Sequence, residues 1–207
     1  MTRLGFLIAR ALGQEDRLQS LSCPATEVEE ALRGKTLALV GNARRPGPPG
    51  QGAAIEAADL VIRLNRAPMP AAESHGHRTD ILALATGISA ADLAQIAPRR
   101  LLWMSPKRKR LPWSVAQSAG FHLPGLDAFH RLRAALGAPP STGLLLIDLV
   151  ARSQADTITL YGFDFFASLS LSGRRSAAQV PHDFAAERRF VEDLLARDPR
   201  FHLFAAI

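Results

Sequence analysis

Short apolar segments alternate with segments of helical pattern along most of the chain, and this alternation constrains the fold more than any other feature. The apolar segments predict strands over residues 36–40, 59–64, 81–85, 100–104, 157–161 and 201–204. Most of them lack a clean alternation of polar and apolar residues, which is typical of strands that are covered on both faces of a sheet.

Apolar residues recur at steps of three and four between these strands, which is the spacing of a helix that packs on one side. The pattern predicts helices over residues 27–32, 53–58, 90–96, 127–136, 143–152 and 184–197. Strands and helices in this order predict an α/β protein with a single Rossmann-like domain, in which helices cover both faces of a mostly parallel sheet. We assign residues 35–207 to this domain and residues 1–34 to an N-terminal helical segment.

Composition and charge narrow the classes of partner. The 207 residues are 47% hydrophobic and 21% charged, as in an ordinary soluble globular protein. The formal net charge of +6 is carried mostly by Arg, which favours phosphate, carboxylate or nucleic acid as a partner, although the codon bias of a GC-rich genome explains the Arg excess equally well. A single cysteine, Cys23, excludes an internal disulfide.

Two segments are candidates for contact with a membrane surface. The apolar stretch LGFLIARAL is interrupted by Arg10 and is far shorter than the ~20 residues that span a bilayer, so it predicts an amphipathic helix that either lies on a membrane or packs on the core. A basic run flanked by tryptophans suits an anionic membrane, an acidic glycan, nucleic acid or plain solvent. Its residues are Trp103, Lys107, Arg108, Lys109, Arg110 and Trp113. We expect a cytoplasmic protein, with peripheral contact to the inner membrane as a further expectation.

The loop GNARRPGPPGQG, residues 41–52, follows the first predicted strand. In parallel sheets ligands bind outside the carboxyl ends of the strands, and glycines let the backbone approach a phosphate closely. The glycine spacing fits neither G-x-G-x-x-G nor the P-loop pattern. By itself the loop therefore indicates either a nucleotide site or a simple turn.

Three segments taken together resemble the sialyltransferases of glycosyltransferase family 29. LALVGNARRPGPPGQGAAIEAADLVIRLNRAP, residues 37–68, resembles the large sialylmotif, in which a strand ends in V-G-N and the segment closes with R-x-N-x-A-P. PPSTGLLLIDLVARSQADTITLYGFDFF, residues 139–166, resembles the small sialylmotif, and HDFAAE, residues 182–187, resembles the very short motif. The segments occur in the family's order.

The chain departs from the family at two points. Animal members join the large and small motifs by a disulfide, whereas the corresponding positions here are Leu37 and about Ala155. This departure suits a bacterial-type member. The family's third motif, rich in aromatic residues and histidine, has no clear counterpart between FDFF and the very short motif.

The resemblance implies a sheet of the GT-A variant and an inverting transfer of sialic acid from CMP-sialic acid to the hydroxyl of a glycan or glycolipid. It also implies a reaction without a metal or other cofactor, and the sequence contains no D-x-D pair of the kind that grips Mg²⁺ under a sugar nucleotide. The donor-binding residues implied by the resemblance are Gly41, Asn42, Ala43, Asn65, Ser141, Thr142, Gly143, Gly162 and Phe163. The two asparagines also suit turns or caps, and PSTG also suits a plain helix start.

His182 is the predicted general base, because a histidine can accept the proton of an attacking hydroxyl at neutral pH. Glu187 is predicted to orient the His182 ring or to touch the acceptor. A surface histidine that caps a helix is the alternative interpretation. Two other functions are kept open: use of another CMP-linked keto-sugar such as CMP-Kdo, and a non-catalytic basic protein that binds nucleotide or nucleic acid. The non-catalytic alternative assigns no role to the segments PSTG and HDFAAE, so we do not expect nucleic acid as a partner.

Overall fold

Seven parallel strands form one sheet at the centre of the computed structural model, which describes residues 1–43, 50–164 and 180–204. The strands are β1 (Thr36–Val40), β2 (Leu60–Leu64), β3 (Ile81–Leu84), β4 (Arg100–Trp103), β5 (Phe121–His122), β6 (Thr157–Tyr161) and β7 (Phe201–Phe204). Their order across the sheet is β5-β4-β3-β2-β1-β6-β7. The prediction of an α/β fold is confirmed, and every strand pairing in the described part of the chain is parallel.

The described residues contain ten α-helices and one 3₁₀ turn; three of the helices precede β1, and the other elements lie between successive strands. The helices are α1 (Arg3–Leu12), α2 (Glu15–Gln19), α3 (Ala25–Leu32), α4 (Gln51–Ala57), α5 (Ala72–His75), α6 (Ala90–Ile96), α7 (Trp113–Ala116), α8 (Asp127–Leu136), α9 (Thr142–Ala151) and α10 (Phe184–Arg197). The 3₁₀ turn covers Arg108–Arg110.

Side chains of successive strand residues enter separate cores on the two faces of the sheet. On one face, Leu37 and Leu39 of β1 belong to a cluster that includes residues of α3, α8, α9 and α10. On the other face, Ala38 and Val40 of β1 pack with Ile55 of α4. Because both faces are covered, β1 to β5 bury nearly all of their residues, which explains why the sequence shows apolar runs there; edge strand β7 buries only Phe201.

The strand order reverses direction at β1. From β1 the chain steps through β2, β3 and β4 to β5 at one edge, and it then returns to β6 on the other side of β1. The carboxyl ends of β1 and β6 are therefore neighbours from which the chain leaves in opposite directions. This arrangement opens a crevice, which is where open α/β sheets bind ligands.

The N-terminal helices pack onto the sheet. Phe6 of α1 and Leu18 of α2 are fully buried in the cluster that contains Trp103, and the Phe6 and Trp113 rings lie 5.2 Å apart. Trp103 has no exposed surface, so the predicted contact of this residue with a membrane is wrong. A tryptophan at the end of a central strand is buried by the helices that cover that face of the sheet.

The structure also corrects the role of Arg108 in the basic run. Arg108 is buried, and its guanidinium donates to Glu15 at 2.7 Å and to the carbonyl oxygen of Ser105 at 2.8 Å. It therefore ties α2 to the 3₁₀ turn and cannot contact a membrane. Lys107, Lys109 and Arg110 are exposed.

Candidate functional site

The carboxyl ends of β1 and β6 are joined by backbone hydrogen bonds. The amide of Gly41 donates to the carbonyl oxygen of Tyr161 at 2.7 Å, and the amide of Ala43 donates to that of Gly162 at 3.1 Å. A Cβ atom at Gly41 would overlap the Gly162 carbonyl, whose carbon would lie 3.0 Å away. Gly162 has a φ of 64°, a conformation that favours glycine. Both glycines are thus needed for the close approach of the two strand ends.

The two predicted donor-binding asparagines bridge neighbouring strand ends. The carboxamide nitrogen of Asn42 donates to the carbonyl oxygen of Leu64 at 3.4 Å. Asn65 adopts a φ of 53°, and its side-chain oxygen accepts a hydrogen bond from the amide of Ala85 at 3.0 Å. Asn residues tolerate this left-handed conformation. Both side chains therefore tie neighbouring strand ends together at the carboxyl edge, and their contact with a donor stays a prediction.

Helix α9 begins beside these strand ends. Ser141 is its N-cap residue, and its hydroxyl accepts a hydrogen bond from the amide of Leu144 at 3.2 Å. The first-turn amides, including those of Thr142 and Gly143, have no partner within the helix and attract anions. A Cβ atom at Gly143 would lie 3.1 Å from the Phe163 ring, so glycine allows the loop after β6 to pack on the helix start.

Glu187 of α10 holds the start of α9. Its carboxylate accepts hydrogen bonds from the amide of Ser141 at 2.6 Å and from the Ser141 hydroxyl at 2.7 Å, and only 3% of the residue is exposed. Burial raises the pKa of Glu187 from an ordinary value of 4.5 to about 7, and the two hydrogen bonds from Ser141 oppose this effect. The residue predicted to orient His182 thus contacts the PSTG segment instead.

His182 is fixed by a different partner. Its Nδ1 atom lies 2.8 Å from the carbonyl oxygen of Pro139. Because a carbonyl oxygen can only accept, Nδ1 carries the proton in the neutral ring, and Nε2 is left with a lone pair. The ring also packs edge-on against Phe184, with centroids 5.7 Å apart. The histidine is half-buried, and its basic nitrogen is the one that does not face Pro139.

His182 and Glu187 together clamp a three-residue segment. The carbonyl oxygen of Pro139 accepts a hydrogen bond from His182, which lies 43 residues later in the sequence. Ser141 donates to Glu187, which lies 46 residues later. The segments PSTG and HDFAAE are therefore in contact, as their shared resemblance to one family suggests. Asp183 caps α10 by accepting a hydrogen bond from the amide of Ala186 at 2.9 Å. The side chains of His182 and Glu187 therefore lie at the start of α10.

Arg63 of β2 is a buried supporting residue that the sequence analysis did not select. Its guanidinium donates to the carbonyl oxygens of His75 at 2.6 Å and Arg78 at 2.9 Å, and 1% of it is exposed. Burial lowers the pKa of Arg63 to about 10, an effect that Glu56 opposes. In the sequence, an arginine inside the otherwise apolar segment LVIRL indicates a buried cation of this kind. The contacts fix α5 against the edge that carries Asn65.

Parts of the predicted site lie outside the described residues. These include Arg44, Arg45 and Gly47 of the Gly-rich loop and the last two residues of FDFF. Among the residues that are described, no group of three or more His, Cys, Asp or Glu side chains is placed to hold a metal ion. In the same part of the chain, none of the helices has the length and apolar character required to cross a membrane.

Known structures with a similar fold are sialyltransferases. A mammalian sialyltransferase in complex with Gal-beta-1-3GalNAc-ortho-nitrophenol superposes with a TM-score of 0.62 and 18% identity, over 90% of this chain and 74% of that one. The sialyltransferase CstII from Campylobacter jejuni, in complex with cytidine-5'-monophosphate, superposes with a TM-score of 0.53 and 12% identity, over 84% of this chain and 81% of that one. At these identities the likeness shows the fold, which is sialyltransferase-like.

Sequence comparison identifies a nearer relative. No protein-family model matches the chain. The urease operon 23 kDa accessory protein of Rhizobium meliloti (strain 1021) is 32% identical over 222 aligned positions, which cover 84% of this chain and 95% of that protein. Because the identity extends over most of both proteins, the chain belongs to the family of the urease operon 23 kDa accessory protein.

Proposed function

We propose that the protein is a glycosyltransferase that moves a sialic acid from CMP-sialic acid to a glycan hydroxyl, with inversion and without a metal ion. The observation that carries this proposal is the double clamp of His182 and Glu187 on residues 139–141, beside the strand reversal at β1 and β6. This geometry joins a candidate base to a candidate phosphate site. The proposal includes assignment of the sheet to the GT-A variant.

The donor phosphate is assigned to the start of α9. A transfer without a metal needs hydrogen-bond donors to stabilise the departing phosphate. The amides of Thr142 and Gly143 supply them, and the helix dipole adds a partial positive charge. Glu187 fixes this helix start through Ser141 and so acts as a positioning residue. Gly41, Asn42 and Ala43 would border the donor on the β1 side, and Gly162 and Phe163 on the β6 side.

The acceptor hydroxyl is assigned to Nε2 of His182. As the hydroxyl oxygen forms a bond to the anomeric carbon, its proton passes to Nε2, and the bond from that carbon to the phosphate oxygen breaks. The electron pair of the broken bond leaves with CMP. A single displacement of this kind inverts the anomeric centre. The Pro139 carbonyl keeps the imidazole in the tautomer that can accept the proton.

Two alternatives share parts of this assignment. Another CMP-linked keto-sugar, such as CMP-Kdo, would use the same phosphate and base sites. The name of the Rhizobium relative suggests instead an accessory role connected with urease. Cytidine nucleotide binding supports the transferase proposals and has no explanation in the accessory role.

A thermal-shift comparison of CMP, CDP, UDP, GDP and NAD tests the site. We expect CMP or CDP to raise the melting temperature most, since a ligand at a hundredfold excess over its dissociation constant adds about 2.7 kcal/mol to the stability. Stabilisation by NAD or UDP with none by cytidine nucleotides would contradict the proposal.

Turnover of CMP-sialic acid and of CMP-Kdo then separates the donors and tests the base. We expect His182→Ala to lower turnover by about a hundredfold to ten-thousandfold while CMP still shifts the melting temperature. His130→Ala, at an exposed histidine of α8, is the matched control and should leave turnover unchanged. Activity should also survive EDTA. Near-normal turnover in His182→Ala would place the base elsewhere.

A further inference from the structure

Helix α1 presents an apolar face to solvent. The described residues include six exposed large hydrophobic side chains, and five of them lie in the first twelve residues. They are Met1, Leu4, Leu7, Ile8 and Leu12, of which Leu4 and Leu12 are each 68% exposed. An ordinary surface helix places polar residues on this side. The concentration of apolar surface at one place therefore indicates a contact that the isolated chain leaves open.

The opposite face of α1 is already covered by the rest of the protein. Phe6 and Ala9 are fully buried, and the Arg10 guanidinium donates to the carbonyl oxygen of Leu111 at 2.8 Å. The helix is also well terminated, because Thr2 caps its first turn and Gly13 ends it in a left-handed conformation. The exposed stripe is thus held rigidly by the fold and does not result from a frayed segment.

The surface beside the stripe is basic. Helix α1 contains Arg3 and Arg10 and no acidic residue, and it packs against the segment that carries Lys107, Lys109 and Arg110. Those three side chains are exposed. Of the two carboxylates of α2, that of Glu15 is engaged by buried Arg108, and exposed Asp16 is followed by exposed Arg17. An apolar stripe flanked by cations is complementary to the interface of an anionic bilayer.

We propose that α1 and residues 107–110 form a docking surface for an anionic lipid bilayer, on which α1 lies flat with Leu4, Leu7, Ile8 and Leu12 in the interfacial region. A second copy of this chain fits the surface less well. A two-fold contact through α1 would bring two sets of basic side chains together, and like charges across an interface weaken association. The proposal is independent of the proposed transferase activity.

The proposed docking surface differs from the membrane contact through Trp103 and Trp113 that the sequence suggested. Trp103 is buried and Trp113 packs on Phe6, so the aromatic residues support α1 from beneath. The apolar anchors are leucine and isoleucine side chains of the helix itself. The exposed cations supply the attraction to anionic headgroups, so binding requires both parts of the surface.

Co-sedimentation of the full chain with vesicles tests the proposal. We expect binding to vesicles that contain phosphatidylglycerol, much weaker binding to phosphatidylcholine alone, and loss of binding at high salt. Leu4→Ser with Leu12→Ser should weaken partitioning about a hundredfold, because two apolar side chains no longer enter the interface. Lys109→Glu with Arg110→Glu should weaken it at least about tenfold.

Matched controls and a second measurement keep the outcome decisive. Lys35→Glu with Arg133→Glu changes the net charge equally at exposed positions elsewhere and should retain binding. Unchanged circular dichroism of each variant shows that the fold is retained. No binding to either vesicle would overturn the proposal, and so would equal binding to both. A concentration-dependent dimer in sedimentation velocity, abolished by the leucine substitutions without any vesicle binding, would assign the stripe to self-association instead.

Discussion

Replacement of Glu187 by glutamine tests whether this buried carboxyl carries a proton in the folded protein. Glutamine keeps the length of the side chain and can still accept from the Ser141 amide, and its carboxamide nitrogen can donate to the Ser141 hydroxyl, from which Glu187 accepts in the parent protein. The substitution removes the ability to ionise and keeps two hydrogen bonds to Ser141, one of them with its direction reversed. It therefore separates the cost of a buried charge from the value of the hydrogen bonds.

The magnitude follows from the change in pKa. Burial raises the pKa of Glu187 from about 4.5 to about 7 on folding. The folded state therefore binds the proton more tightly than the unfolded chain, and stability falls as pH rises from 4.5 to 7 and stays reduced above pH 7. At about 1.4 kcal/mol for each tenfold change in proton affinity, the loss between pH 5 and pH 8 is about 2–3 kcal/mol.

Urea unfolding at pH 5, 6, 7 and 8 measures this effect at constant ionic strength. We expect the free energy of unfolding of Glu187→Gln, relative to that of the parent protein, to increase by about 2–3 kcal/mol between pH 5 and pH 8. Glu192→Gln, at an exposed position of the same helix, is the control and should follow the parent at every pH. A constant difference between Glu187→Gln and the parent across this range would refute the reasoning, because the carboxyl would then ionise equally in both states.

Two further substitutions test the scaffold of the site by chemical unfolding. Gly41→Ala should destabilise the protein by about 1–3 kcal/mol because the new methyl group overlaps the Gly162 carbonyl. Gly87→Ala is the control and should be close to neutral, because its Cβ would lie 3.6 Å from a side-chain carbon of Pro112. Equal effects of the two substitutions would contradict the close approach at Gly41. Arg108→Met should cost about 1–3 kcal/mol, because it removes the hydrogen bonds of the buried guanidinium to Glu15 and to the carbonyl oxygen of Ser105 while Glu15 stays partly exposed to water; equal stability of variant and parent would show that these contacts contribute nothing.

Local sequence patterns predicted most of the architecture correctly. All six predicted strands occur, with ends within one residue of the predicted bounds, and all six predicted helices occur within two residues. Strand β5, Phe121–His122, was not predicted, because two residues carry no periodicity. It forms because β4 offers an edge at which Leu101 and Leu102 pair with Phe121 and His122. The short helices α2, α5 and α7 were missed for the same reason.

The sequence could identify the segments of the site but could not predict their contacts. The pattern HDFAAE selects His182 and Glu187, yet the partners of these residues lie more than forty residues away along the chain. Only the packing of α10 against the start of α9 decided that Glu187 would hold Ser141. That packing also buried the carboxyl, which is the cause of its raised pKa.

The difference between local sequence properties and tertiary packing also explains the outcome of the two membrane predictions. The sequence indicated an amphipathic helix in LGFLIARAL, residues 4–12, and a cationic run over residues 107–110, because these properties belong to the side chains themselves. The tertiary structure decided which side chains reach solvent. Trp103 and Arg108 became buried, whereas Leu4 and Leu12 stayed exposed. Exposure depends on which distant segments cover a surface, and helical or strand periodicity is a local property that contains no information on that choice.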